Sequence, residues 1–311
     1  MELKQLKYLL SVSELGSFSK AAVVLSVAQP VLSRQIRSLE EELGVELLYR
    51  NGRGIVVSDA GQIVVEHARA IVSSVGSISA DIDTLRSDPS GKISIGMPPT
   101  AGSVLTAPLI QRFHEEYPRI KLKVQEGYSG HVLEWLSTGR IDVAILYNAP
   151  KTSTLLTQPL IEEELLLIGP GRKPDMAVEG PVNGASLAEM PLILPSHPHG
   201  LRVLVESLLG PQRIYPNVEY EIDSLSAVVN MVEQGIGYTI LPYAAVSAKV
   251  EAGDLTATSI VEPRMTRHLV LATSTQRPVT NATRTLAKMV TLLVRDLVKD
   301  GVWMPRAQLD H

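Results

Sequence analysis

From Val64 onward the apolar residues Val64, Ala68, Ile71, Val75, Ile78, Ile82 and Leu85 follow one another at steps of 4, 3, 4, 3, 4 and 3. That is a heptad seam sustained over three repeats. Ser58 and Asp59 at its head read as an N-cap followed by a carboxylate that the helix dipole favours, and Asp88-Pro89-Ser90-Gly91 reads as its stop. A helix of about 28 residues would be about 42 Å long at 1.5 Å per residue, more than one compact domain can cover. The seam can pack on the chain's own core, but a second copy of the same helix is the better partner. Ile71, Val75, Ile78, Ile82 and Leu85 are the expected dimerisation residues. The seam divides the chain into a head, 1–58, a linker helix, 59–88, and a body, 91–311.

In the head, Leu6, Leu9, Leu10, Val12 and Leu15 mark an amphipathic helix closed by Gly16. Ser17 or Ser19 caps a second short helix through Leu25, and a third runs from about Gln29 to Leu43, where Gly44 stops it. LLYRNGRGIVVS then alternates around Asn51-Gly52, residues that tolerate the positive φ of a tight hairpin. Three short helices and a hairpin make a winged helix-turn-helix. On the third helix Val31, Leu32, Ile36, Leu39 and Leu43 form the expected buried stripe. Gln29, Ser33, Arg34 and Arg37 are left for base edges and phosphates, with Ser19 beside them, and Pro30 fixes the entry without losing a hydrogen bond. Residues 1–58 carry seven basic and six acidic side chains, but four of the acids lie between 40 and 46. The basic groups can therefore own a face, and Arg50 and Arg53 project from the hairpin tip, placed for a minor groove or its phosphates. An ordinary solvated helix face is the competing reading.

Composition narrows the classes. With 311 residues, 45% of them apolar, the chain can bury two or three cores. The absence of cysteine excludes disulfides, thiolate zinc sites and cysteine nucleophiles, and suits a reducing cytoplasm. A net charge of −4 gives no global attraction to a polyanion, so any DNA binding must be local. The N-terminal residues lack the signal-peptide pattern, and no run of eighteen apolar residues is free of charge or proline, so no membrane partner is expected.

Beyond Gly91, short β-rich runs such as KISIG, IKLKVQE, DVAILY and GYTILP alternate with helical stretches. The alternation indicates βαβ units, a parallel sheet and two lobes, one of about 91–161 and 268–300, the other of about 162–267. Fragments with catalytic spacing do not survive their context. Ser17-Phe18-Ser19-Lys20 lies in the helix-turn-helix, Gly235-Ile236-Gly237 precedes a strand instead of following one, and His197-Pro198-His199 reads as a loop. No catalytic residue, metal site or cofactor is expected.

The segment LKYLLSVSELGSFSKAAVVLSVAQPVLSRQIRSLEEELGVELLYRNGRGIVVSDAG resembles the DNA-binding domain of the LysR-type transcriptional regulators, through GSFSKAA, AQPVLSRQI, LGVELLYR and SDAG. HARAI and GKISIGMPPTAGSVLTAPLIQRFHEEYP are similar to the group containing the nitrogen assimilation control protein. The resemblance spans essentially the whole chain. It implies a winged helix-turn-helix, a dimerising linker helix and two α/β lobes like a type 2 periplasmic binding protein. It also implies a sequence-specific regulator of promoter DNA that forms homodimers and homotetramers, with RNA polymerase as a further partner. A small-molecule effector, anionic in this reading, is implied between the lobes. The matching positions are Pro99 and Thr100, Ser129, Tyr147, and Ser196 with His197, with Arg202 as a countercharge. Each hydroxyl can equally be a plain N-cap. The alternatives are a solute-binding protein or small-molecule enzyme with an unrelated helical head, and a regulator that needs no effector.

Overall fold

The computed structural model describes residues 1–51, 54–85 and 91–304, except for the side chains of 50, 51, 54, 73, 74 and 76–85. The head consists of α1 (Leu3–Leu15), α2 (Phe18–Val24), α3 (Gln29–Leu43) and a hairpin of β1 (Leu48–Asn51) and β2 (Gly54–Val57). Local chemistry sets the ends. Gly16 (φ 59) and Gly44 (φ 70) take the left-handed conformation that closes α1 and α3, and the Ser17 hydroxyl accepts the Lys20 N–H at the start of α2. Leu32, Ile36 and Leu39 are the buried stripe of α3, whereas Val31 and Leu43 are exposed. Val31 is rotated about 100° from Leu32, and Leu43 lies in the last turn beside Gly44, past the elements that cover the stripe.

The linker helix α4 (Asp59–Leu85) begins by packing on the head. Val65 and Ala68 are fully enclosed by Leu6, Leu9, Leu39 and Leu47. Gly61 lies so close that an added Cβ would be 2.1 Å from the Leu47 carbonyl oxygen. The first part of the seam therefore packs within the chain itself. Ile71 and Val75, further along, are each 40% exposed. Ile78, Ile82 and Leu85 lie outside the described side chains.

The body continues with β3 (Gly91–Met97), α5 (Pro99–Glu116), β4 (Ile120–Glu126), α6 (Ser129–Ser137), β5 (Val143–Tyr147) and β6 (Leu155–Pro170). Then come β7 (Val182–Asn183), β8 (Leu192–Leu194), α7 (Gly200–Leu209), β9 (Val218–Glu221), α8 (Leu225–Glu233) and β10 (Thr239–Pro242). The last elements are α9 (Ser247–Glu251), β11 (Leu255–Val261), β12 (Thr266–Ser274) and α10 (Asn281–Lys299). The sheet order is β4-β3-β5-β12-β6-β11-β7, with β10 also on β6. The strand β6 belongs to both lobes: Leu155–Glu164 pairs with β12, and Leu165–Pro170 pairs with β10 and β11. Expected to be parallel, the sheet is mixed. β3 pairs parallel with β4 and β5, but β12 and β6 run antiparallel to their neighbours because the chain crosses between lobes on one strand and returns on another. Separate apolar cores fill the two lobes, one around Ile95, Phe113, Val290 and Trp303, the other around Leu166, Ile193, Val205 and Ile240.

Candidate effector cavity and DNA-reading face

On the head, Gln29, Pro30, Arg34 and Arg37 are exposed along α3, and Ser33 is half-buried. The exposed Ser19 donates its hydroxyl to Gln29 Oε1 at 3.2 Å, joining the start of α2 to the start of α3. Arg37 Nε donates to Glu41 Oε1 at 3.2 Å, so part of its charge is answered, while Arg34 makes no ion pair among the described residues. Glu40 faces inward and accepts the Leu47 and Leu48 N–H groups. Arg53 and the side chain of Arg50 lie outside the described residues.

A cavity of about 330 Å³ opens between the lobes. From the first lobe it is lined by Pro98, Pro99 and Thr100 after β3, Tyr128 and Ser129 after β4, and Tyr147 and Asn148 at the end of β5. From the second come the α7 start at His199–Leu201, the loop residue Asp223, and an aliphatic wall that includes Leu204, Ile222, Val228 and Leu241. The helices α5, α6, α7 and α8 begin around it, so partly unsatisfied backbone N–H groups and positive dipole ends gather at one place.

Its floor is a buried polar network. Arg267 of β12 donates from Nε to Glu163 Oε2 at 2.8 Å and from Nη2 to Thr100 Oγ1 at 3.0 Å. Thr100 donates in turn to the Tyr147 hydroxyl at 3.1 Å, and the Ser129 hydroxyl accepts the Tyr147 N–H at 3.2 Å. Trp303, wholly buried, donates its indole N–H to the other oxygen of Glu163 at 2.5 Å. Burial pushes the Tyr147 phenol well above its ordinary range, and the Arg267 charge only partly opposes this. At the mouth, Tyr128 donates to the Asp223 carbonyl oxygen at 2.7 Å, and its ring meets the His199 ring edge-on at 4.4 Å. Burial lowers the His199 pKa; donation from the Ser196 N–H and hydroxyl lowers that of Asp223.

Of the residues expected around an effector, Pro99, Thr100, Ser129 and Tyr147 line this cavity, and Ser196, His197 and Arg202 do not. Ser196 is spent on Asp223 at 3.0 Å through its N–H and 2.9 Å through its hydroxyl. Arg202 is no countercharge: Glu206 and Glu221 hold it, and His197 also meets Glu206. The helix α7 begins at Gly200, so Ser196 and His197 lie in the loop before it, and Arg202 in its first turn is taken up by Glu206 and Glu221. Arg267, Glu163, Tyr128, Asp223 and Trp303 were not anticipated. The only sequence signal for them is charge inside the strand-like runs TRHLVLATS and LIEEELLLIG.

A winged helix-turn-helix joined by a long helix to a two-lobed body with a central cavity defines a DNA-binding regulator with a ligand-binding body. The chain matches the "LysR substrate binding domain" over residues 86–292 and the "Bacterial regulatory helix-turn-helix protein, lysR family" over residues 3–62. It belongs to the LysR family of transcriptional regulators. The nitrogen assimilation regulatory protein Nac of Klebsiella aerogenes is 32% identical over 276 residues, 87% of this chain and 88% of Nac. A full-length OxyR variant from Pseudomonas aeruginosa shares the fold with a TM-score of 0.75 at 24% identity, over 100% of this chain and 99% of that one. CbnR in complex with its target DNA aligns with a TM-score of 0.67 at 24% identity, covering 95% and 99%. Among the described residues no helix is long and apolar enough to cross a membrane.

Proposed function

We propose that this regulator couples a small polar molecule held between its lobes to the arrangement of its DNA-binding heads. Residues 1–58 read promoter DNA in the cytoplasm: Gln29, Ser33, Arg34 and Arg37 face base edges and phosphates, Ser19 and Pro30 position them, and Arg50 and Arg53 contact the backbone from the wing. The linker, 59–88, pairs with that of a second copy through Ile71, Val75, Ile78, Ile82 and Leu85, and dimers join as tetramers that can touch RNA polymerase. Residues 91–311 take the effector, with lobes of about 91–161 and 268–300, and 162–267.

The observation that carries this reading is the convergence of Thr100, Ser129, Tyr147 and Arg267 on a cavity of about 330 Å³ between the lobes. An anionic or strongly polar head group is accepted by the Thr100 N–H, the first that α5 offers after Pro98 and Pro99, and by the first N–H groups of α6, while the ligand's body rests on the aliphatic wall of the second lobe. Such binding regulates because a ligand touching both lobes favours one arrangement of them over another.

A thermal-shift screen of carboxylates, amino acids and aromatic acids on the full chain tests it, since a ligand at a hundred times its Kd stabilises by about 2.7 kcal/mol. Thr100→Val keeps the shape and removes the hydroxyl. It is expected to abolish the shift and leave ligand-free operator affinity intact. A shift that persists in the variant removes Thr100 from the site. No shift with any compound favours a regulator that needs no effector.

A further inference from the structure

We infer that the molecule this cavity takes is a zwitterion of amino-acid size, carrying a carboxylate and an ammonium on one small skeleton with a branched aliphatic or aromatic side chain. The inference rests on the cavity being the effector site and adds the ligand's charge pattern.

Among the described residues Arg267 is the only lining arginine or lysine, and its charge is answered inside the protein by Glu163 at 2.8 Å. Among the described lining residues the remaining formal charge is the carboxylate of Asp223, exposed at the mouth on the second lobe. The Ser196 N–H and hydroxyl donate to Asp223 Oδ1 at 3.0 and 2.9 Å, and the same hydroxyl lies 2.9 Å from Oδ2. These are neutral donors, so they orient the carboxylate and keep it ionised without cancelling its charge. Among the described residues no lysine or arginine pairs with Asp223, and the neighbouring His199 is held toward its neutral form by burial. With Glu163 answering Arg267, the lining is left with the charge of Asp223, which, screened by solvent at the mouth, attracts a cation and repels a simple monoanion modestly.

The first lobe presents the opposite preference. Thr100 and Ser129 stand in the first turns of α5 and α6, whose N–H groups and dipole ends favour an anion. Tyr128, next to Ser129, donates to the Asp223 carbonyl oxygen at 2.7 Å, which joins the start of α6 to the second-lobe loop that carries the carboxylate. A ligand with carboxylate toward Thr100 and Ser129 and ammonium toward Asp223 satisfies both poles and ties one lobe to the other. Its side chain meets Leu204, Ile222, Val228 and Leu241. The volume of about 330 Å³ is at the small end of the roughly 300–1,000 Å³ of ligand pockets, which fits a single amino acid and not a nucleotide.

The test titrates the full-length protein with L-leucine and L-phenylalanine beside their deaminated counterparts, 4-methylpentanoate and 3-phenylpropanoate. At least one amino acid is expected to bind, with its deaminated counterpart up to about fivefold weaker. Asp223→Asn, which leaves an oxygen for both Ser196 donors, is expected to bring the amino acid down to the level of the deaminated acid. Ligand-free melting of the variant reports whether its fold is kept, and Asp223→Glu is expected to restore part of the discrimination. Equal or tighter binding of the deaminated acid overturns the zwitterion and leaves the cavity as the effector site. Amino-acid binding that survives Val228→Trp, which fills the cavity, places the ligand elsewhere and overturns the cavity reading itself. Binding of neither set by the parent overturns the inference.

Discussion

The guanidinium carbon of Arg267 lies 3.5 Å from the centroid of the Tyr147 ring. One flank of the cation is thus covered by the negative face of the ring, and another meets Glu163. Thr100 ties the two residues together, accepting from Arg267 and donating to Tyr147. The cavity floor is therefore a fixed polar surface in which every member holds its neighbour, the preorganisation that lets a site distinguish ligands without rearranging itself. Glu163 stands two residues before Leu165, where the pairing of β6 passes from β12 to its second-lobe partners, so the network sits at the crossing between lobes.

Removing the partners of Arg267 has graded consequences. Glu163→Gln leaves a buried guanidinium without its counter-charge and is expected to cost about 3–5 kcal/mol. Trp303→Phe keeps the packing but deprives Glu163 of the indole donor, with an expected cost of about 1–3 kcal/mol. Urea unfolding of both variants checks the order. A Trp303→Phe loss equal to that of Glu163→Gln would mean that packing of the indole, not its hydrogen bond, holds the C-terminal segment.

On the head, Arg34 of α3 and Arg53 of the wing should behave differently. Arg34→Ala is expected to weaken operator binding by about 1–3 kcal/mol and to relax preference at one base position. Arg53→Ala at the wing should weaken all sequences together and lower the slope of log affinity against log salt by about one. Gel-shift titrations at several salt concentrations, on operator and on scrambled DNA, separate the two. Unchanged operator binding in both variants removes these residues from the interface.

Legibility tracked how local the determining interactions are. The limits of α3, Gln29 to Leu43, could be read directly because Pro30 and Gly44 act on their own turns. The length of β6 could not. LIEEELLLIG is the strand-like run of the sequence, but β6 starts five residues earlier, at Leu155, and runs through Pro159. Pro159 is tolerated because the ladder with β12 shifts register between Leu269 and Val270, opposite Ile161 and Pro159, a consequence of tertiary pairing. The cavity divides in the same way. Thr100, Ser129 and Tyr147 follow from strand ends meeting helix starts. Arg267 arrives more than a hundred residues later, and only the folded sheet brings it to Glu163. Arg202 is engaged in part by a local partner, Glu206 one helical turn on, and in part by Glu221 of β9, which only the fold brings to it.

The seam of α4 supports a sharper expectation than its periodicity alone. Ala68 is wholly buried against the head, so Ala68→Asp should unfold the head itself. Ile71 and Val75 are each 40% exposed and hold no core together within one chain. Ile71→Asp and Ile78→Asp are therefore expected to leave the head folded and dissociate the dimer at micromolar concentration, as read by sedimentation with circular dichroism as the control. Parent-like sedimentation of both variants would assign this stretch of the seam to contacts within the chain.

The last expectation concerns His199 and pH. His199 caps α7: the Leu201 N–H donates to its Nδ1 at 3.1 Å, which requires that nitrogen to be unprotonated. Burial lowers its pKa, Asp223 pulls in the opposite direction, and Arg267 adds to the lowering. The folded value thus lies below that of the unfolded chain, about 6.5. As pH falls through that value, the unfolded state binds the proton first, so stability declines with falling pH, and protonating the folded state also breaks the cap. His199→Asn retains an acceptor at the N-cap and removes the titration. From pH 7 to pH 5, the urea midpoint of the parent is expected to drop by more than that of the variant, while the two remain close at pH 7.5. Parallel declines would show that His199 takes up its proton equally in both states, and that the cap survives protonation.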